Sequence, residues 1–125
     1  MRRSALTLAL LSLLAAGCGG EDQPGRTVTA TANTKLRVAA DEYSFDPSTI
    51  VLEGEGTLTL TLDNTGSLAH NLKLFRGDEE ISGTPTLPAG RTESTRLTLE
   101  QGSYRMVCTV GDHEELGMTG ALRVR

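Results

Sequence analysis

Apolar and polar residues alternate along most of the chain from residue 35 onward, and this period of two predicts β-strands. The clearest run is Thr57–Leu62, which reads Thr-Leu-Thr-Leu-Thr-Leu and places Leu58, Leu60 and Leu62 on one buried face. The threonines of this run then lie on the opposite face. Shorter runs predict the other strands, at residues 35–39, 43–45, 49–53, 70–75, 92–99, 103–108 and 119–124.

Turn residues separate these runs at nearly regular intervals. Asp46-Pro47 and the segment from Asp63 to Gly66 are turn signals, and glycines occupy most of the other gaps. Seven or eight short strands with almost no helical period predict an all-β sandwich or barrel. Residues 76–90 are predicted to be the one long connection, able to cross between sheets, with its acidic side chains in solvent.

The first 17 residues depart from the β pattern. Arg2 and Arg3 precede an apolar run from Ala5 to Ala16, and small residues follow before Cys18. A charged start, an apolar middle and a small-residue exit are typical of a secretory signal peptide. The alternative is a transmembrane anchor, but about 12 apolar residues fall short of the roughly 20 that a bilayer requires.

The exit segment, Leu14-Ala-Ala-Gly-Cys18, resembles a bacterial lipobox. In that motif the cysteine becomes the first mature residue and carries a lipid, which implies a lipoprotein anchored to the membrane on its extracytoplasmic or periplasmic side. The commonest pattern has leucine three residues before the cysteine, where this chain has Ala15. The alternative is ordinary cleavage, which leaves Cys18 as a free thiol.

Residues 19–34 contain Gly, Thr, Ala and polar residues without a sustained period. We therefore expect residues 18–34 to form a lipidated Cys18 and a flexible tether, with an r.m.s. span of roughly 20–24 Å. The alternative is that part of Thr27–Thr31 forms a first edge strand. Residues 35–125 are predicted to be the one folded domain, because a chain of 125 residues has room for a single small domain.

The charge of the chain disfavours nucleic acid as a partner. Without residues 1–17, which hold two arginines and no acid, ten basic residues remain against 16 acidic ones, a formal charge of −6. Such a surface repels phosphates. The absence of tryptophan and the presence of only two tyrosines and two phenylalanines also remove the means of stacking on bases.

Lipidation of Cys18 would leave the second cysteine, Cys108, without a disulfide partner. An unpaired thiol outside the cytoplasm is open to oxidation unless it is protected. A bound metal ion would protect it.

The residues able to bind a soft metal are few, and they fall at ligand spacing. Cys108, His113 and Met118 follow one another as Cys-x4-His-x4-Met between two predicted strands. A loop that leaves one strand and returns to its neighbour can bring three side chains to one point. The only other histidine, His70, begins another predicted strand, whereas Met106 lies two residues before Cys108 and is predicted to pack in the core.

Two imidazoles, one thiolate and one thioether suit a copper ion that cycles between Cu(I) and Cu(II). The thiolate and thioether favour Cu(I), and imidazole serves both oxidation states. Zinc is an unusual occupant of a site with two histidines, one cysteine and a distant methionine. The sequence therefore predicts one copper ion in an electron-transfer site.

Most of the predicted domain resembles the plastocyanin/azurin group of small blue copper proteins, the cupredoxins. The resemblance runs from about Tyr43 to Val124 and is carried by three segments: Tyr43-Ser-Phe-Asp-Pro47, Asn64-Thr-Gly…His70-Asn71, and Tyr104-x-x-x-Cys108-Thr-Val…His113…Gly-Met118-x-Gly120. It implies a Greek-key β-sandwich of seven to eight strands. It also implies three equatorial copper ligands and one axial ligand: His70, Cys108 and His113, and then Met118. Asn71 would brace the ligand loop near Thr109.

The chain departs from this family around its second histidine. Many members have Pro-Gly before that histidine and apolar residues around it, whereas here Asp112 precedes His113 and Glu114-Glu115 follows. We expect an acidic docking face beside an exposed ligand. A redox partner with a basic patch would suit it, because charge complementarity raises the association rate. The chain is expected to act as a monomer.

Two other functions use the same ligands. A copper-storage or copper-delivery protein would hand the ion to an oxidase, although delivery favours sites rich in methionine. A module that has lost its metal would act by binding alone. Enzymatic functions are disfavoured, because copper oxidases and nitrite reductases need further histidines, and a Cys108–His113 nucleophile pair has no recognisable oxyanion hole.

Overall fold

The computed structural model describes residues 25–125, and all regular elements in that range are β-strands. No helix within that range is long and apolar enough to cross a membrane. The ten strands are β1 (Thr27–Thr31), β2 (Lys35–Asp41), β3 (Ser44–Asp46), β4 (Thr49–Glu53), β5 (Gly56–Asn64), β6 (Lys73–Arg76), β7 (Glu79–Gly83), β8 (Thr92–Leu99), β9 (Gly102–Val107) and β10 (Thr119–Val124).

The strands form two mixed sheets. One sheet has six strands in the order β1-β4-β10-β9-β6-β7, and the other has four in the order β3-β2-β5-β8. Three pairs are parallel, β1 with β4, β4 with β10, and β2 with β5, and the remaining pairs are antiparallel. The all-β sandwich predicted from the sequence is confirmed, with ten strands in place of seven or eight.

The first added strand corrects the predicted domain boundary. Residues 27–34 were expected to belong to the tether, but Thr27–Thr31 pairs in parallel with β4 over its whole length. Arg26 extends this contact, because its carbonyl accepts hydrogen bonds from the N–H groups of Ser48 and Thr49 at 3.0 and 3.3 Å. The folded domain therefore includes residues 27–31, and the alternative of an edge strand is correct. The predicted signal peptide and Cys18 lie outside the described residues.

The second added strand lies in the segment predicted to be one long connection. Glu79–Gly83 returns along β6 as a hairpin, with a register shift between Leu74 and Phe75. The hairpin keeps this part of the chain at the edge of one sheet. The prediction of a solvated acidic segment holds, since Asp78, Glu79 and Glu80 are exposed.

The core lies between the two sheets, as the alternating pattern predicts. Leu58, Leu60 and Leu62 of β5 are fully buried, and the threonines between them are half-buried. Met106 is also fully buried and belongs to this core, as predicted. The packing around it is tight, because a Cβ atom on Gly120 would lie 2.6 Å from the Met106 methyl carbon.

One end of the sandwich collects the strand termini that carry the candidate ligands. There β9 ends before Cys108, and β10 starts after Met118. His70 precedes β6 and is held by an isolated bridge in which His70 and Leu87 exchange two backbone hydrogen bonds, 3.1 and 2.8 Å long. The ends of β2 and β5 in the other sheet meet the same region, where Thr65 N–H donates to the Ala40 carbonyl at 2.9 Å.

Candidate metal centre

Two imidazoles and one thiol converge at this end of the sandwich. The Sγ atom of Cys108 lies 3.9 Å from Nδ1 of His70 and 3.5 Å from Nδ1 of His113. One potential ligand atom of each of the three residues lies within 4.8 Å of the others. His70 and Cys108 are fully buried, and His113 is 7% exposed.

These separations fit a single metal ion bound by all three side chains. With the bond lengths known for zinc, about 2.0 Å to nitrogen and about 2.3 Å to sulfur, ligand atoms about 120° apart lie about 3.7 Å from each other. The two observed nitrogen–sulfur distances, 3.5 and 3.9 Å, lie on either side of that value. The site could therefore take a metal with little movement of its ligands.

The loop between β9 and β10 explains the Cys-x4-His-x4-Met spacing. The N–H of Cys108 donates to the Met118 carbonyl at 3.1 Å, and the N–H of Met118 donates to the His113 carbonyl at 2.9 Å. These bonds fold the loop back on itself and bring its first, middle and last residues together. The Met118 side chain is fully buried in the core cluster that also contains Cys108.

Asn71 braces this loop against the strand that follows His70. Its Oδ1 accepts the Thr109 N–H at 2.8 Å, and its Nδ2 donates to the Thr109 hydroxyl at 3.0 Å. Nδ2 also donates to the Thr86 hydroxyl at 3.2 Å. The structure thus shows the Asn71–Thr109 contact that the resemblance implies, and it adds Thr86, which the sequence did not indicate.

Glu42 was not identified from the sequence, yet it contacts the candidate ligand His70. Its Oε1 lies 3.2 Å from His70 Nε2 and accepts the N–H groups of Ser67 and Leu68 at 2.8 and 2.7 Å. The Leu68 bond is the largest cause that lowers the pKa of Glu42 to about 2, so the carboxylate is ionised at neutral pH. One acid among 16 in the chain carries no sequence signal for this role.

Asn64 holds the turn that leads to His70, and it too was not identified as a site residue. Its side chain is fully buried, and Nδ2 donates to the carbonyls of Leu68 and Leu87 at 2.9 and 3.0 Å. Its Oδ1 accepts the Gly66 N–H at 3.1 Å. The sequence predicted a turn at Asp63–Gly66. The bond from Asn64 to Leu87 connects this turn to the segment that pairs with His70.

The surface beside the site differs in part from the expectation. Asp112, Glu114 and Glu115 are exposed, as predicted, but His113 is nearly buried, so it is less open to solvent than expected. Tyr43 packs edge-on against its ring, with centroids 4.9 Å apart. Arg105 pairs with Glu114 at 3.3 Å and offsets one of the three acidic charges.

Two of the exposed apolar side chains lie near candidate ligands in the sequence. The exposed large hydrophobic residues of the described chain are Leu68, Ile81 and Leu116. Leu68 lies two residues before His70, and Leu116 lies three residues after His113. Both leucines therefore lie close in sequence to candidate ligands.

In a comparison with protein families, a family model described as PQQ-associated matches residues 7–125 of the chain. The comparison with curated protein sequences finds no match.

Comparison with solved structures identifies the fold. Reduced auracyanin from Roseiflexus castenholzii is 23% identical with a TM-score of 0.69, and the match covers 75% of this chain and 98% of auracyanin. Rusticyanin from Thiobacillus ferrooxidans is 21% identical with a TM-score of 0.67, covering 82% and 86%. Auracyanin A from Chloroflexus aurantiacus, a "blue" copper protein, is 20% identical with a TM-score of 0.65, covering 77% and 100%. The sandwich is therefore a cupredoxin fold.

Proposed function

The chain belongs to this PQQ-associated family, and we propose that it carries single electrons through one bound copper ion. The cupredoxin fold and the converging candidate ligands support this function. The observation that carries the proposal is the meeting of two imidazole Nδ1 atoms and one cysteine sulfur at a buried point. Such a set, with a weak axial thioether, is typical of blue copper sites. The proposed ligands are His70, Cys108, His113 and Met118.

The copper ion, when bound, supplies a couple that gains and loses one electron. The chain supplies geometry. The Asn71–Thr109 bonds, the His70–Leu87 bridge and the backbone bonds among Cys108, His113 and Met118 hold the ligands from three directions. Ligands that are fixed by hydrogen bonds from outside keep their orientation and basicity. A rigid site of this kind needs little rearrangement when the electron moves.

The optical spectrum of the copper-loaded protein tests this proposal. Cu(II) is added to a fragment of residues 25–125, the part of the chain that the structure describes. We expect an intense visible band from charge transfer between thiolate and copper, with one copper bound per chain. Cys108→Ser should abolish the band. The matched control is Met106→Leu, which changes a buried methionine in β9, the strand that leads into the ligand loop. This variant should retain the band. A colourless product, or a band that survives Cys108→Ser, would refute the proposal.

Copper storage or delivery remains the alternative function for the same ligands. Burial favours electron transfer, because His70, Cys108 and Met118 are all fully buried and an acceptor protein could not reach them without opening the fold. If the copper ion itself moved to a metal-free acceptor protein as fast as the bound copper exchanges an electron, the delivery function would be favoured.

We propose a redox protein as the partner, and the family's description makes a PQQ-containing enzyme the first to test. The docking face combines the exposed Leu68 and Leu116 with the acids Asp112 and Glu115. A partner with an apolar centre and a basic rim would complement it, since rim charges act mainly on the association rate.

We propose that the protein works outside the cytoplasm and is tethered to a membrane by a lipid on Cys18. The support is the sequence alone, namely the apolar leader and the lipobox-like segment before Cys18. Expression of the full chain in a bacterium, followed by membrane fractionation, tests it. Wild-type protein should sediment with the membranes and Cys18→Ser should not. Equal distribution of both would contradict the tether.

A further inference from the structure

We propose that Glu42 is the positioning residue of the metal site, which orients His70 through its Nε2 atom and sets the charge felt by the bound copper. This inference rests on the proposed function, since it concerns the same site. It adds a residue that lies far from all four ligands in sequence and that approaches the imidazole from the side opposite Cys108.

The contacts of Glu42 are concentrated on one oxygen atom. Oε1 accepts the main-chain N–H groups of Ser67 and Leu68 at 2.8 and 2.7 Å, and it lies 3.2 Å from Nε2 of the His70 ring. The first two bonds fix the carboxylate relative to the turn before His70. The contact with Nε2 then fixes the imidazole relative to the carboxylate. The turn at Ser67 and Leu68 therefore sets the position of the His70 ring through Glu42.

A glycine makes room for this arrangement. A Cβ atom on Gly66 would lie 2.4 Å from Oε1, 2.9 Å from Cδ and 3.0 Å from Oε2 of Glu42. Any side chain at residue 66 would therefore displace the carboxylate. Gly66 therefore leaves room for the carboxylate at this place in the turn. The Glu42 side chain is only 25% exposed.

The contact decides which nitrogen of His70 carries the proton. Oε1 of Glu42 already accepts two main-chain N–H groups, so it also serves as an acceptor toward the imidazole ring. Nε2 of the neutral imidazole must then carry the proton, and Nδ1 presents its lone pair. Nδ1 is the nitrogen that lies 3.9 Å from the Cys108 sulfur. Glu42 therefore selects the tautomer that can bind a metal beside Cys108.

The carboxylate also places a negative charge one imidazole away from the metal. A carboxylate bound to the far nitrogen of a ligating histidine raises the basicity of the ligand, and loss of such a partner typically lowers metal affinity about 10–100-fold. Because negative charge stabilises Cu(II) more than Cu(I), Glu42 lowers the reduction potential. Each tenfold change in the ratio of the two affinities equals about 59 mV.

Two substitutions separate the charge of Glu42 from its hydrogen bonds. Glu42→Gln keeps an oxygen at Oε1 that can accept all three N–H groups, but it removes the charge. Glu42→Ala removes both. Glu115→Gln is the matched control, because it removes an exposed acidic charge two residues from His113, and no contact of Glu115 with an imidazole is seen.

The first readout needs no copper. Nitrogen NMR of the histidine rings in the metal-free protein should show His70 with its proton on Nε2 in the wild type and in Glu42→Gln. In Glu42→Ala, His70 should become a mixture of tautomers. If Glu42→Ala does not fold, Glu42→Gln still tests the charge through the second readout.

The second readout is the copper-loaded protein. The reduction potential should rise in Glu42→Gln by more than in Glu115→Gln, and Cu(II) affinity should fall about 10–100-fold in Glu42→Ala. Equal shifts in Glu42→Gln and Glu115→Gln, or an unchanged tautomer and affinity in Glu42→Ala, would overturn the inference. A wild-type protein without a blue copper band would instead refute the proposed function, and the NMR measurement would still decide the role of Glu42.

Discussion

Asn71 joins two parts of the site that come from distant parts of the chain. It lies 38 residues from Thr109 in sequence, and it is 3% exposed. Because it follows His70 directly, its two bonds to Thr109 set the distance between the first histidine and the loop that carries the other ligands.

Substitution of this side chain tests the brace. We expect Asn71→Ala to lower the free energy of unfolding of the metal-free protein by about 1 kcal/mol, the low end for an unmade hydrogen bond, because Thr109 is exposed and water can replace the acceptor. Copper affinity should fall about tenfold or more. Denaturant unfolding and copper titration measure the two effects. Thr86→Val removes only the outer contact at 3.2 Å and is the control. Equal effects of both substitutions would argue against the brace.

The ligands could be predicted from sequence because their chemistry is rare in this chain. With two histidines, and with Cys108 as the one cysteine outside the leader region, few combinations exist, and the spacing to Met118 restricts them further. Glu42 could not be predicted, because 15 other acids share its chemistry. Its role arises from a turn 25 residues away, at Ser67, and only the folded chain shows that contact.

At the level of strands, β1 completes the six-stranded sheet by covering β4. Its five residues pair in parallel with Thr49–Glu53, and they alternate between exposed and half-buried positions. Without β1, the backbone groups of β4 on that side would lose their partners.

Truncation tests the corrected domain boundary. We expect a fragment of residues 35–125 to be less stable than one of residues 25–125, because it loses the β1–β4 ladder and the Arg26–Asp46 ion pair. An exposed strand edge should also raise its tendency to aggregate. Thermal unfolding and light scattering of the two metal-free fragments measure these effects. Identical midpoints and identical scattering would mean that β1 contributes nothing to the fold.

The success of strand prediction followed the burial of each strand. The strict alternation of β5 reflects one face that is fully buried, and the sequence predicted this strand and its inward side chains correctly. β1, which the sequence offered only as an alternative, and β7, which was missed, are both edge strands with exposed or half-buried residues. β1 does alternate, as Thr-Val-Thr-Ala-Thr, but no position in it is fully buried and its small residues resemble a linker. β7, Glu-Glu-Ile-Ser-Gly, lacks the alternation and resembles a loop.

On the scale of the whole molecule, exposed acidic residues lie at both ends of the sandwich. Asp112 and Glu115 are exposed on the loop that carries His113, and Asp78 and Glu79 lie at the β6–β7 turn. His70 lies just before the first residue of β6, whereas the β6–β7 turn follows its last residue, Arg76, which lies beside Gly102. The turn is therefore at the end of the sandwich away from His70. The two pairs therefore allow a matched comparison.

The acids near His113 should accelerate reaction with cationic partners. We expect Asp112→Asn/Glu115→Gln to slow oxidation of the reduced protein by a cationic cobalt complex at low salt, by up to about tenfold, and to weaken its salt dependence. Asp78→Asn/Glu79→Gln removes the same charge from the far end and should change the rate little, because that distance exceeds the screening length of about 10 Å at 0.1 M salt. Stopped-flow absorbance measures both rates. Equal rates in the two double variants would contradict a local docking field.

The order of strands in the two sheets was beyond sequence reasoning. The regular spacing of strands predicted a sandwich, and the resemblance implied its type, but pairings such as β1 with β4 and β4 with β10 join segments that are far apart in the chain. Another long-range pairing, of β2 with β5, accompanies the contact between Glu42, which follows β2, and His70. The candidate ligands could be predicted from the sequence, whereas the residues around them could be identified only from the folded structure.

A spectroelectrochemical titration of the copper-loaded protein tests the central claim most directly. The thiolate-to-copper band is recorded as the applied potential is stepped down and then back up. We expect the band to bleach and return completely, with one electron per copper and a slope of about 59 mV per tenfold change in the oxidised-to-reduced ratio. A band that fails to return because copper leaves the reduced protein, or a slope that requires more than one electron, would contradict a one-electron carrier built on His70, Cys108, His113 and Met118.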